Sequence, residues 1–164
     1  MTYYNVLHSS VQTELVDNAF YHCKNVETIE IPDTIVSIGT LAFHNCSSLK
    51  QLTLPKTSLR TIGNNAFASC ESLTSVYIPV TVTEIGTNIL GGDTNLREVT
   101  IPYLGASKTD TAHTFAYLFG TRKDTEIPAS VVSVVLLDAV TVPDSAFKNA
   151  SSIQTVTLSQ GIDS

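Results

Sequence analysis

Three cysteines, four histidines and a scatter of carboxylates are the side chains through which this chain could do chemistry, and their spacing decides which kind. Cys23, Cys46 and Cys70 stand 23 and 24 residues apart. A structural zinc site draws on cysteines a few residues apart, and a secreted disulfide framework on an even number of them, so neither fits. Thiols at one register of a repeat predict instead a reduced, buried column, because free cysteine packs as a small apolar side chain and a reactive thiol needs an exposed, electropositive setting. His22 and His44 occupy different registers and predict no imidazole ladder. Ser107, Asp110 and His113 are the residue types of a hydrolytic triad, but the GxSxG turn that would present the nucleophile is missing: Gly105, Ala106 and Ser107 run on into Lys108 and Thr109. The string GTNILGGDTN lacks the lysine and hydroxyl residue of a phosphate loop. Asn45 and Asn149 match NxS only as spellings of the repeat. The chain is therefore expected to carry no catalytic residue, metal ligand or cofactor.

The element that sets these positions is a period of 23 to 24 residues. Phe20, Phe43 and Phe67 share it with the cysteines, as do Pro32, Pro55, Pro79 and Pro102. Self-similarity at this spacing predicts a solenoid in which each unit has too little core to stand alone and buries its apolar face on its neighbours. One unit reads Cys46, Leu49, Leu52, Leu54, Pro55; others read Cys23, Val26, Ile29, Ile31, Pro32 and Cys70, Leu73, Val76, Ile78, Pro79. A degraded copy puts Asp93 before Leu96, Val99, Ile101 and Pro102, and a last copy runs Ala150, Ile153, Val156, Leu158 with Ser159 in the proline position. This spelling resembles the leucine-rich repeat of the BspA-like, or treponemal, kind. The resemblance implies a bacterial protein, surface-associated or secreted, concerned with adhesion or host-protein binding.

The alternation in each LxxLxL predicts one short parallel strand per repeat, six in all, the fifth at Val131, Val134 and Leu136. The prolines, which lack an N–H, end the strands at a common level. Ile35 and Ile38, Leu59 and Ile62, or Val82 and Ile85 then anchor a bend, and Gly39, Gly63 or Gly86 supplies an unusual backbone angle. Beyond the glycine, Asp17 and Asn18, Asn64 and Asn65, or Asp144 and Ser145 predict helical turns that carry Phe20, Phe67 and Phe147 inward. The expected fold class is an α/β repeat solenoid: a right-handed stack, strands on one face and short helical turns on the other, with Phe20, Phe43, Phe67 and Phe147 in one buried column.

One domain is expected over residues 1–164, with regular repeats at about 15–102 and 127–164 and an insertion at 103–126. In the insertion Asp110 can cap a helix whose Ala112, Phe115, Ala116 and Phe119 form an apolar stripe ended by Gly120. Such a helix either covers apolar surface left by the degraded repeat, where Leu90, Gly91 and Gly92 stand in place of phenylalanine and its neighbours, or forms a protrusion that touches a ligand through Phe115 and Tyr117. LSQGIDS reads as a repeat broken off in mid-spelling, which predicts a fragment of a longer array and possible end-to-end self-association.

A net charge of −6 with dispersed Lys and Arg leaves no basic stripe for phosphates, so no nucleic-acid partner is expected. The longest apolar run is far too short to span a bilayer, and residues 1–10 lack the pattern of a signal peptide. What remains is surface. The outward strand positions form two rows: Thr28, Gln51, Ser75, Glu98, Ser133 and Thr155, then Glu30, Thr53, Tyr77, Thr100, Val135 and Thr157. Repeat proteins commonly use this face. Glu30, Thr53, Tyr77, Glu98, Thr100, Val135 and Thr157 are the candidate contacts for a protein or glycan partner. The alternative is a spacer that presents a separate functional domain.

Overall fold

The computed structural model describes residues 3–5, 13–120, 127–138, 142–148 and 150–159; the end of the expected insertion at 121–126, Asn149 and the closing residues 160–164 lie outside them. The repeat becomes a stack of about six coils built on parallel strands. In chain order these are β1 (Tyr3–Asn5), β2 (Glu14–Leu15), β3 (Thr28–Glu30), β4 (Ser37–Ile38), β5 (Gln51–Thr53), β6 (Thr61–Ile62), β7 (Ser75–Tyr77), β8 (Glu84–Ile85), β9 (Glu98–Ile101), β10 (Ser133–Leu136) and β11 (Thr155–Leu158). The six expected strands are β3, β5, β7, β9, β10 and β11. A further strand, β1, pairs with β3 in parallel, Tyr3 opposite Thr28. The long-strand ladder runs β1-β3-β5 and then, after a division between β5 and β7, β7-β9-β10-β11.

A second parallel sheet, β2-β4-β6-β8, lies where only an anchored bend was expected. Its strands are two residues long, each with one residue in and one out: Leu15, Ile38, Ile62 and Ile85 are buried, while Glu14, Ser37, Thr61 and Glu84 form the outer row. The glycines that follow are needed for proximity and not for an unusual angle. Gly39, Gly63 and Gly86 have no positive φ. A Cβ on Gly63 would stand 2.5 Å from the Thr40 nitrogen, and one on Gly86 would stand 2.5 Å from the Asn64 nitrogen. The coils touch backbone to backbone along this column.

The expected helical turns do not form, and the α/β description is corrected to a solenoid of strands and turns. Asn18, His22, Leu41, Asn45, Asn65, Ser69, Asn88 and Ser145 all have φ between 54° and 63°. In the Asn18 and Asn45 coils the left-handed residues recur four apart, and a right-handed helix cannot tolerate that. Their amides look outward to the next coil instead of back along the chain: Phe20 N–H donates to the Ala42 carbonyl at 2.7 Å, Phe43 to Ala66 at 2.8 Å and Phe67 to Ile89 at 3.1 Å. The presumed helix starters do the same. Asp17 Oδ1 accepts from Thr40 N–H at 2.6 Å and Asn64 Oδ1 from Thr87 N–H at 2.9 Å.

Phe43 and Phe67 are fully buried, and Phe20, Phe43 and Phe67 stack with ring centroids 5.1 and 5.7 Å apart. The column is shorter than expected. Phe20 and Phe147 are only half-buried, Leu90 takes the next place after Phe67, and Phe147 packs on Phe115 at 5.4 Å.

Where the period breaks, Glu98 of β9 stands opposite Ser133 of β10, a separation of 35 residues, whereas Ser75 stands opposite Glu98 at the usual 23. The excursion is one enlarged coil. Tyr103 and Leu104 are buried, the Ala106 carbonyl accepts from Ile85 N–H at 2.8 Å, and a 3-10 helix at Phe115–Phe119 follows. The expected helix from Ala112 shrinks to these five residues. Its N-cap is Thr114, with no side-chain cap bond, and Gly120 ends it at φ 70°. Asp110 instead closes the preceding turn, its Oδ1 accepting from Ala112 N–H at 2.9 Å and His113 N–H at 3.3 Å. The helix carbonyls of Tyr117 and Leu118 accept from Asn88 and Leu90 N–H, so the insertion supplies the missing rung above the degraded repeat.

Candidate interaction face

Alternation along each long strand turns one residue in and the next out, and the parallel register then stacks like positions into rows. The outward positions line up in two segments, divided between β5 and β7. Thr28 lies beside Gln51, and Ser75, Glu98, Ser133 and Thr155 follow one another; Glu30 lies beside Thr53, and Tyr77, Thr100, Val135 and Thr157 follow one another. Glu30, Thr53, Tyr77, Glu98 and Thr157 are exposed, whereas Thr100 and Val135 are half-buried between their neighbours. Tyr77 is 45% exposed and is the one aromatic residue among the twelve expected outward positions. Glu27 and Lys50 pair at 3.2 Å beside the face, but both are more than half exposed or close to it, so the pair contributes little to stability.

The insertion residues divide. Phe115 is wholly buried, edge-on to Phe119 at 5.3 Å, so it belongs to the core and offers a partner no surface. Tyr117 is half-buried and donates its hydroxyl to the Ile85 carbonyl at 3.1 Å. Burial, and then the Asp110 carboxylate, raises its phenol above the usual range. Beside it the His113 ring, 4.5 Å from Tyr117, meets Asp110 Oδ2 at 2.6 Å. Burial alone would raise the Asp110 carboxyl, but the Ala106 and Ala112 amides and the His113 ring outweigh it and hold the group below its ordinary value. Ser107 Oγ lies 3.5 Å from Thr109 Oγ1 and joins no relay with this pair, which serves to tie down the loop.

The cysteines form the expected column, with one exception. Cys46 and Cys70 are fully buried and their thiols donate to the Phe20 and Phe43 carbonyls, each at 3.3 Å. Burial pushes the Cys46 thiol up to about 11 and Cys70 higher still. Cys23, at the outer coil, is only half-buried. In the folded protein Cys23 should therefore react with a maleimide or Ellman's reagent well before Cys46 and Cys70, because a buried protonated thiol is a poor nucleophile. Equal rates at all three would contradict the column. Among the described residues no three His, Cys, Asp or Glu side chains gather as a metal site.

Two surfaces escaped the sequence reading. On the turn side Tyr21 stacks on His44 at 5.3 Å and His22 meets Asn45 at 3.3 Å, two adjacent columns as the registers required, yet forming one patch. Burial, and then the neighbouring His22, lowers the His44 imidazole. Along the second sheet runs an open trough whose lining includes Gly39, Gly63 and Gly86 with Glu14, Thr61 and Glu84. Two-residue strands leave no alternation to read, and the available signals were the column of glycines and the column of Ile38, Ile62 and Ile85 just before it.

Parallel coils, a two-sheet cross-section and residue columns repeating at 23 to 24 define a leucine-rich repeat solenoid. The chain belongs to the BspA-type leucine-rich repeat family, whose model matches residues 13–135 in six copies. Comparison with curated protein sequences finds no match. Among solved structures the chain is similar to the leucine-rich repeat protein of T. pallidum, with a TM-score of 0.61 and 23% identity over 90% of this chain and 62% of that one. It is also similar to a leucine-rich cell surface protein of Faecalibacterium prausnitzii, with a TM-score of 0.56 and 25% identity over 90% of this chain and 30% of the other. The pneumococcal vaccine antigen PcpA aligns with a TM-score of 0.61 at 19% identity, over 94% of this chain and 40% of its own. The chain thus spans less than two thirds of each of these proteins. Among the described residues no helix is long and apolar enough to cross a membrane.

Proposed function

We propose that the chain is a non-enzymatic interaction module of a surface or secreted protein and that it grips a protein partner through the long-strand face. One observation carries this reading: outward strand positions rich in threonine and serine flank the exposed ring of Tyr77. Tyrosine in such a setting is the kind of anchor that dominates interface energetics, and short threonine and serine neighbours let a partner approach closely while losing little rotamer freedom. The contacts are Glu30, Thr53, Tyr77, Glu98, Thr100, Val135 and Thr157. Glu30 and Glu98 favour a partner whose facing surface is neutral or basic. Membership of the repeat family supports the reading, since leucine-rich repeats generally serve as interaction modules, and surface exposure is proposed on the same footing. Weak contacts spread over several coils gain from avidity when such modules occur in series.

The test is binding of the purified chain to a panel of immobilised extracellular-matrix proteins and glycans. Saturable binding to a protein of the panel supports the reading. Binding to glycans alone moves the partner to that class, and no binding to any member contradicts the proposal.

A further inference from the structure

The column behind the strands changes chemistry at one place. In two successive coils a cysteine thiol donates to the phenylalanine carbonyl of the coil before it, Cys46 to Phe20 and Cys70 to Phe43. The next member is Asp93, wholly buried and the sole polar or charged side chain in the core among the described residues. Its Oδ1 accepts from Cys70 N–H at 2.8 Å, a bond that the Cys46 amide makes to a phenylalanine carbonyl instead. Its Oδ2 is buried with no hydrogen-bond partner. An ionised carboxylate only accepts, whereas this column calls for a donor toward the Phe67 carbonyl, and a protonated carboxyl is one.

We propose that Asp93 is a proton-operated latch: as a neutral acid it completes the thiol column, and on ionisation it loosens the joint between the coil carrying Phe67 and Cys70 and the coil carrying Leu90. No cation among the described residues is set against the charged form. Among the described residues the titratable groups set against it are Glu71, which is anionic, and the Cys70 thiol, itself raised by burial and by Asp93. Burial pushes the Asp93 carboxyl up to about 8, the Glu71 charge adds to this, and the Cys70 and Ser69 amides only partly offset it. The folded state therefore holds a proton that the unfolded chain releases near the ordinary carboxylate value of 3.8. Stability from this group is complete below that value and is lost as pH rises toward about 8, the reverse of a salt-bridged aspartate. The latch lies in the turn that leads into β9, whose Thr100 pairs with Tyr77 of β7 on the proposed interaction face, although the inference stands independently of that face's role.

Two variants test it. Asp93→Asn keeps the acceptor for Cys70 and adds a permanent donor; Asp93→Cys restores the column and serves if the first variant folds poorly. Infrared difference spectra of wild type at pH 6.5 should contain the carbonyl band of a protonated carboxylic acid, and the variant should lose it. The melting temperatures of wild type and variant should lie closest near pH 4 and separate steadily as pH rises, until at pH 8.5 wild type falls below the variant by roughly 5 °C or more, as loss of a buried group's stabilisation implies for a chain of this size. Relative to the variant, wild-type amide exchange at residues 67–73 and 88–96 should accelerate over the same interval. Parallel melting profiles, or the absence of the protonated-acid band, would overturn the proposal.

Discussion

Replacing Phe43 with alanine is expected to lower the unfolding free energy by about 3–5 kcal/mol, the range for removing a fully buried aromatic ring. The ring is closed in on both sides along the stack, by Phe20 almost parallel to it and by Phe67 at a 12° tilt. Its backbone is fixed too, since Phe43 N–H donates to the Ala66 carbonyl at 2.8 Å and its carbonyl accepts the Cys70 thiol at 3.3 Å. Neighbours held in register by such ladders cannot collapse into the space, so the cavity term adds to the lost transfer energy. Phe20→Ala is the control: the same atoms leave a half-buried site at the outer end of the column and should cost clearly less. Equilibrium urea unfolding of the two variants separates these outcomes. Equal midpoints would contradict the column.

Gly63→Ala should cost about 3 kcal/mol, the upper end of the range for overpacking, because the clash is with backbone and no side chain can turn aside. The new Cβ would lie 2.5 Å from Thr40 N, 2.6 Å from Gly39 C and 2.9 Å from Thr40 Cα. Relief requires the coils to part, which strains the bonds from Gly63 N–H to the Ile38 carbonyl at 2.8 Å and from Leu41 N–H to the Asn64 carbonyl at 2.9 Å. A contrasting change, Gly92→Asn, puts a residue type that tolerates left-handed backbone at φ 84°, where the new Cβ would meet the Ser69 hydroxyl oxygen at 2.9 Å and no other atom nearer than 3.5 Å, and should be milder. Thermal unfolding monitored by circular dichroism ranks them. A Gly63→Ala protein that melts with wild type would show that the coils are not in backbone contact.

The strands were legible because their signal is long-range: Ile29, Val76, Val99 and Val134 repeat an inward position that a local reading would leave ambiguous, and each is buried. The turns were not. Asp17-Asn18 and Asn64-Asn65 fit the start of a helix, but asparagine is also the residue that best tolerates left-handed backbone, and Asn18 and Asn65 take that second role. Local propensity cannot choose between the two, because the choice is made by the adjacent coil, whose carbonyls take the amides. The glycines misled in the opposite sense: the freedom of the residue was read as torsional when its use is steric, and only the neighbouring backbone reveals that. The insertion had the apolar spacing of a longer helix, yet Ala112 is exposed and the helical part begins at Phe115, where its N–H reaches the Ala146 carbonyl. The outer rows of the interaction face followed from the strand register alone. That Phe115 is core and Tyr117 half-buried depended on how the excursion folds back over Leu90, which no periodicity encodes.

Tyr77 and Tyr21 offer a matched comparison, the same side chain at 45% exposure on the strand face and on the turn side respectively. Each can be truncated to alanine without opening the core. The direct measurement is the affinity of wild type, Tyr77→Ala and Tyr21→Ala for whichever immobilised matrix protein the wild type binds, by surface plasmon resonance. The strand-face account predicts that Tyr77→Ala weakens binding by tenfold or more, the scale of an interface anchor worth over about 1.4 kcal/mol, while Tyr21→Ala leaves it unchanged. Loss of binding in Tyr21→Ala with Tyr77→Ala unaffected would place the partner on the turn side and contradict it.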